Sequence, residues 1–211
     1  LIDRSFKPSD IDPCIYIRDN IIVLTYVDDC IIKGSSIKEI DAFILSMKDG
    51  TENFILTDEG DIDKFLGIEI THLNKNRFKI GQPYLIDRII SLLNLNKDDL
   101  GYRTNPKTTP VGKPLLNKDL IGKPRKEQWN YRTEVGMLNY LQGNSRPEIS
   151  MSVHQTARFC NDPRLSHEKA IKRLGRYLMH TRKEGIVYNP DISKGLKCYV
   201  DADFAGGYSP D

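Results

Sequence analysis

Apolar positions alternate in short runs through the first third of the chain and recur at helical spacing later. Cys14 to Arg18 and Ile21 to Tyr26 are β-branched and aromatic runs, and Asp19-Asn20 between them has the composition of a two-residue hairpin turn. Asp28-Asp29 interrupts the pattern before Cys30 to Lys33 resumes it. A second hairpin with two carboxylates at its tip is therefore predicted. Ser36 to Lys48 carries Ile37, Ile40, Ile44 and Met47 at spacings of three and four, which predicts a helix with Ser36 as its N-cap. Lys64 to Leu73 and Arg77 to Ile80 read as strands. Gln82 to Leu95, with Leu85, Ile89, Leu92 and Leu93, reads as a helix.

The pattern breaks between residues 101 and 125, where Pro106, Pro110, Pro114 and Pro124 alternate with Gly101, Gly112 and Gly122. This stretch is predicted to be a linker or extended crossing segment. Three helices are expected after it: Glu127 to Gln142, Glu148 to Cys160 opening after Pro147, and Ser166 to Lys183 closed by Gly185. Ile186 to Tyr188 and Leu196 to Val200 are short strand-like runs. The element order, strands then helices, predicts an α+β fold.

Composition narrows the class. The chain has 211 residues, 39% hydrophobic and 28% charged, which suits a folded core rather than a disordered tail. The longest nearly apolar run, Ile21 to Val27, is far short of the ~18 residues of a membrane span. No basic-then-apolar signal opens the chain, so neither secretion nor a membrane location is expected. Its first residue is Leu1 rather than methionine, so a fragment is expected. Residues 1–100 hold 12 Lys+Arg against 18 Asp+Glu, whereas residues 101–211 hold 19 against 11. An acidic half beside a basic half is what a metal or catalytic region next to a polyanion-holding region produces, although uneven surface charge gives the same count. Cys14, Cys30, Cys160 and Cys198 show no CxxC spacing, and His72, His154, His167 and His180 form no HxxxH pattern, so neither a zinc site nor a disulfide framework is expected.

The strongest candidate site is Tyr26-Val27-Asp28-Asp29. Adjacent carboxylates repel one another, and a hairpin tip that holds both gains from a cation between them. Mg²⁺ takes hard oxygen ligands and leaves positions open for phosphate oxygens. A surface Asp-Asp turn is the plainer alternative. The second candidate is the predicted helix at Ser166 to Lys183. Lys169, Lys172, Arg173, Arg176 and Lys183 fall on one side, opposite Ala170, Ile171, Leu174, Tyr177 and Leu178. Such a stripe suits backbone phosphates of a duplex, as does the surplus of 19 Lys+Arg over 8 Asp+Glu in residues 103–197. An ordinary solvated face has the same pattern. Trp129 and Tyr131 are expected to pack rather than to stack on bases. The run Asp58, Glu59, Asp61 and Asp63 is expected to be a solvated loop.

Taken together, these segments resemble the copia-type retrotransposon Pol polyprotein. Tyr26-Val27-Asp28-Asp29 resembles the YVDD box of reverse transcriptases, preceded by Asp12-Pro13-Cys14-Ile15-Tyr16 as that family's DPCLY segment precedes it. Lys64-Phe65-Leu66-Gly67-Ile68-Glu69-Ile70 resembles the FLGIEI segment, and Gln82-Pro83-Tyr84 the QxxY helix start. Tyr131 to Leu141 resembles the YRxxVGxLxYL helix, Arg146-Pro147-Glu148-Ile149 the RPDI segment, and Arg176-Tyr177-Leu178 with Thr181 the RYLxxT segment. Asp201-Ala202-Asp203-Phe204-Ala205-Gly206 is similar to the DADWAG opening of ribonuclease H. The matches span nearly the whole chain in the family's order.

The resemblance implies a partial right-hand polymerase: a palm over residues 1–100, the linker at 101–125, a basic helical thumb or connection at 126–190, and the truncated start of ribonuclease H at 195–211. Asp28 and Asp29 would bind catalytic Mg²⁺, with Mn²⁺ as an alternative ion. Tyr26 and Val27 would lie near the primer end and the incoming nucleotide. Phe65, Leu66 and Gly67 would fall on the primer-grip hairpin, and Asp201 would be the first ribonuclease H carboxylate. The implied partners are an RNA template, a DNA primer and product, deoxynucleoside triphosphates, and the fingers, upstream palm and downstream ribonuclease H segments of the same polyprotein. The implied location is cytoplasmic, in a virus-like particle, or nuclear. The family also uses an upstream palm aspartate on a strand before the DPCLY segment, whereas only eleven residues precede Asp12 here, and Asp3 and Asp10 lack that strand context. Ten residues follow Asp201, and Phe204 stands where the family has tryptophan. These departures lead to the expectation of little or no polymerase activity from the fragment alone. A decayed copy that keeps only nucleic-acid binding is the alternative.

Overall fold

A computed structural model describes residues 1–48, 55–74, 77–95, 108–112, 116–195 and 197–200. The described chain is α+β, with two antiparallel four-stranded sheets and five α-helices. It divides into two compact units, Leu1–Ile62 and Asp63–Asp211.

The first unit is a meander of β1 (Lys7–Pro8), β2 (Ile15–Arg18), β3 (Ile21–Tyr26) and β4 (Asp29–Lys33), followed by α1 (Ile37–Lys48). Both predicted hairpins form, with two-residue turns at Asp19-Asn20 and Val27-Asp28. Strand alternation sends Ile21 and Val23 to one face, where they are buried with Phe6 and with Phe43 of α1. The Phe6 and Phe43 rings lie 5.0 Å apart, and the Arg18 guanidinium sits 4.4 Å above Phe6.

The second unit opens with β5 (Lys64–Phe65), β6 (Ile68–Asn74) and β7 (Arg77–Gly81), joined at the far edge by β8 (Ile186–Tyr188). The run Lys64 to Leu73, predicted as one strand, is two. Leu66 and Gly67 take φ of 49° and 77° and turn the chain back on itself. Positive φ at both central positions marks the type I′ class of tight hairpin turn, and Gly67 supplies one of them without steric cost. The helical part comprises α2 (Pro83–Leu92), α3 (Tyr131–Asn144), α4 (Ser150–Ala157) and α5 (Leu165–His180). Ile86, Ile89, Leu93, Leu138, Leu141, Ile149, Val153, Ile171, Leu174 and Leu178 are fully enclosed between them.

Several boundaries differ from the sequence pattern. Asn130 accepts the Thr133 N–H and starts α3 four residues later than predicted, because an Asn at that position satisfies an otherwise open donor. Pro147–Ile149 is a 3₁₀ turn rather than the first turn of α4. Helix α5 ends at His180, so Lys183 lies beyond it. Residues 197–200 form no strand; Tyr199 and Val200 are each 90% exposed, and a strand needs a partner to pair its backbone. Among the described residues no helix is long and apolar enough to cross a membrane.

Candidate active site

The β3–β4 hairpin presents the tetrapeptide Tyr26-Val27-Asp28-Asp29. Tyr26 and Asp29 pair across the strands, and Val27 and Asp28 form the turn. Both aspartates are exposed, Tyr26 is 53% exposed and Val27 88%. Val27 has φ of 52°, a region that branched side chains rarely adopt. A strained residue persists only where its surroundings over-determine it. Here the antiparallel ladder from the Ile22–Lys33 pair to the Tyr26–Asp29 pair leads into the tip. Cys30, next along β4, has its thiol pKa raised, first by partial burial and then by the negative charge of Asp29.

The approach to this hairpin is also built by motif residues. Asp12 does not join the two aspartates as a donor: its carboxylate accepts the Cys14 N–H at 2.9 Å and closes the bend into β2. The Cys14 carbonyl accepts from Thr25 N at 2.9 Å and from Thr25 Oγ1 at 3.2 Å, which ties that bend to β3.

The donor set of the tip is two hard carboxylates open to solvent. That fits Mg²⁺, which is commonly held by one or two carboxylates and completed by substrate phosphates. Among the described residues no group of three His, Cys, Asp or Glu side chains converges as a metal site. Asp58, Glu59, Asp61 and Asp63 are exposed, and Asp58 accepts the Gly60 N–H at 2.9 Å.

In the second unit, Phe65, Leu66 and Gly67 form the β5–β6 turn. The Leu66 carbonyl accepts the Tyr140 hydroxyl at 3.0 Å, which anchors this turn to α3. Gln82, fully buried at the start of α2, accepts from Ser145 Oγ at 2.8 Å through Oε1 and so joins the start of α2 to the end of α3. Two further motifs interlock. Arg146, 1% exposed, donates to Glu148 at 2.6 Å, to Thr181 O at 3.0 Å and to Thr181 Oγ1 at 2.6 Å. Its guanidinium also lies 5.7 Å from the Tyr177 ring centre. The RPEI segment and the Arg176–Thr181 segment are thus one clasp around a buried guanidinium. Tyr131 is buried, its hydroxyl donates to Thr156 O at 3.0 Å, and burial raises its pKa further above the normal tyrosine range. Trp129 stacks on it at 6.0 Å, so both aromatics pack as expected.

The predicted cationic stripe is only partly a stripe. Lys169 is exposed on α5. Lys172 bonds Glu127 at 2.6 Å, and Arg173 donates to Thr109 Oγ1 at 2.9 Å. Arg176 is half-buried. Lys183 is exposed past the helix end, and its carbonyl accepts from Lys79 Nζ at 3.0 Å. Asp201 lies outside the described residues. Two residues that sequence pattern missed are Glu134, buried without a partner for Oε2, and Arg146; a charged residue inside an apolar helical period is the one signal that points to Glu134.

The chain is 30% identical over 208 residues to a retrovirus-related Pol polyprotein from transposon TNT 1-94 of Nicotiana tabacum, covering 92% of this chain and 15% of that one. It is 29% identical over 188 residues to the corresponding polyprotein from transposon RE1 of Arabidopsis thaliana, covering 88% and 12%. An uncharacterised mitochondrial protein of Arabidopsis thaliana is 28% identical over 185 residues, covering 87% of this chain and 72% of that one. The chain therefore spans only a small part of the polyproteins it matches. No solved structure matches it significantly. The family model for reverse transcriptase (RNA-dependent DNA polymerase) matches residues 1–113, a span that contains the Asp19-Asn20, Val27-Asp28 and Leu66-Gly67 turns, and the chain belongs to that family.

Proposed function

We propose that this chain is the part of a copia-type RNA-directed DNA polymerase that carries the catalytic carboxylates, and that Asp28 and Asp29 hold Mg²⁺ there, with Mn²⁺ as a substitute. The observation that carries this reading is the β3–β4 hairpin, which exposes two adjacent carboxylates at a turn closed by the Tyr26–Asp29 pair. In the reaction the primer 3′-oxygen bonds to the α-phosphorus of a deoxynucleoside triphosphate. The bond from that phosphorus to the bridging oxygen breaks, and pyrophosphate leaves. Asp28 and Asp29 would hold divalent ions, whose charge would stabilise the attacking and leaving oxygens. The chain's own contribution is to hold two negative charges at the turn between two paired strands. Tyr26 and Val27 flank the primer end and the nucleotide, and Phe65, Leu66 and Gly67 steady the primer strand. On this reading residues 1–100 are palm, 126–190 thumb or connection, and 195–211 the start of ribonuclease H. The RNA template and DNA primer lie partly on the basic helical region, and the rest of the polyprotein completes the site.

Nucleic-acid binding is tested by fluorescence anisotropy of the purified chain with a primed RNA–DNA duplex across a salt series, with and without EDTA. Four or five phosphate contacts give a log–log salt slope of about −4. Salt-steep binding that survives EDTA is expected. A folded sample that does not bind overturns this reading.

A further inference from the structure

Residues 117–127 run along the first turns of α5 and are fixed to it at successive points. His167 Nε2 lies 3.0 Å from Asn117 O, and Ser166 Oγ donates to Asp119 Oδ2 at 2.6 Å. Leu165 N donates to Lys123 O at 3.0 Å, and Pro124 bridges to Arg164. The buried Glu168 carboxylate accepts both Lys126 N and Glu127 N at 3.0 Å. Within this segment Gly122 N closes a turn onto Asp119 O. A Cβ at Gly122 would stand 2.2 Å from the Asp119 carboxylate, so this tight turn requires glycine.

At the tip of this anchored turn stand Leu120, 74% exposed, and Ile121, 99% exposed. A loop tied down at so many points does not expose two aliphatic side chains for lack of order. The surrounding charge indicates what covers them. Lys118, Lys123, Lys126 and Lys169 are exposed and form no ion pair among the described residues. Of the neighbouring anions, Glu127 pairs with Lys172, Asp162 with Arg164 and Glu168 with Arg125, while Asp119 accepts from Ser166 and keeps its charge. An exposed apolar tip in a segment that carries Lys118, Lys123 and Lys126, with no ion pair to them among the described residues, complements a polyanion that has apolar surface between its charges. A nucleic-acid duplex has that character, because its bases and sugars lie between rows of phosphates.

We propose that the Leu120-Ile121 turn is a nucleic-acid wedge, which presses two aliphatic side chains into the base steps of a bound primer–template duplex while Lys118, Lys123, Lys126 and Lys169 hold its phosphates. This rests on the nucleic-acid reading above. It assigns sequence-independent contact to a segment that composition marks only as a linker. Apolar wedges of this kind partly unstack a step and need no base-specific hydrogen bond.

The test uses the full chain and a primed RNA–DNA duplex with 2-aminopurine at successive positions. L120S/I121S is compared with wild type for affinity, salt slope and 2-aminopurine fluorescence. Both side chains are exposed, so thermal melting of the variant stays at the wild-type value. Loss of two buried aliphatic contacts weakens binding about tenfold or more. The salt slope is unchanged, and the fluorescence rise at the wedged step disappears. In K118Q/K123Q/K126Q the slope becomes shallower by about three. If wild type binds with a steep salt slope and L120S/I121S matches it in affinity and fluorescence, the wedge is wrong while nucleic-acid binding stands. If wild type does not bind the duplex, both fall together.

Discussion

Glu134 offers the sharpest quantitative check on the helical core. Its side chain is 1% exposed on α3, and Oε2 has no hydrogen-bond partner. Burial raises its pKa from 4.5 to about 7, against the opposing pull of the Arg88 charge. The folded state thus prefers the protonated carboxyl. Below pH 4.5 both folded and unfolded chains carry the proton, and nothing is lost. Between pH 4.5 and 7 the unfolded chain ionises first, so stability falls as pH rises. Above pH 7 both are ionised, and the folded state bears the full cost of a buried charge. At 1.36 kcal/mol for each pH unit between the two values, that cost is about 3 kcal/mol. Glu134→Gln removes the titration while keeping shape and hydrogen-bonding capacity. Urea unfolding at pH 4.5 and pH 8 should show the variant close to wild type at the lower pH. At the higher pH it should be more stable by about 3 kcal/mol. A variant no more stable than wild type at pH 8, or a wild type whose stability rises across this window, would rule out a carboxyl at Glu134 that burial holds protonated.

Three further outcomes follow from particular contacts. Arg146→Ala strands Glu148 and the Thr181 carbonyl and opens the clasp between the 3₁₀ turn and the end of α5. Glu148 is itself 41% exposed, so the loss is that of a buried guanidinium and the hydrogen bonds it donates, about 2–3 kcal/mol in urea unfolding. Gly67→Ala places a Cβ where φ is 77° and should lower stability by about 1 kcal/mol, read as a drop in thermal midpoint. Val27→Gly relieves the 52° φ at the β3–β4 tip and should raise the midpoint slightly, while amide exchange at the tip quickens because glycine is the less constrained residue.

The two hairpins of the first unit were legible because a period of two and a polar turn pair coincide at Asp19-Asn20 and again near Asp28. The hydrophobic pattern hid the β5–β6 turn for the opposite reason, although the family resemblance implied a hairpin at Phe65 to Gly67. Leu66-Gly67 continues an apolar run, and nothing in hydrophobicity marks a leucine that will adopt positive φ. Helix faces followed from spacing, yet helix ends did not, since these depend on single hydrogen bonds such as Asn130 to Thr133 N. The stripe on α5 was legible as charge, but its availability was not. Glu127 and Thr109 are remote in sequence and occupy Lys172 and Arg173. Several residues that carry the family resemblance, among them Asp12, Gln82, Arg146 and Thr181, prove to be scaffold: each satisfies a backbone or buried polar group. A short motif records which residues recur together and does not separate chemistry from support.

Asp28 and Asp29 are proposed to form the metal-holding tip. Paramagnetic broadening by Mn²⁺ in the ¹⁵N-labelled chain, with primed duplex and deoxynucleoside triphosphate present, tests it most directly. Broadening centred on residues 27–30, competed away by Mg²⁺ and lost in D28N/D29N, is expected. Broadening centred instead on residues 58–63, with the hairpin signals untouched, would contradict it.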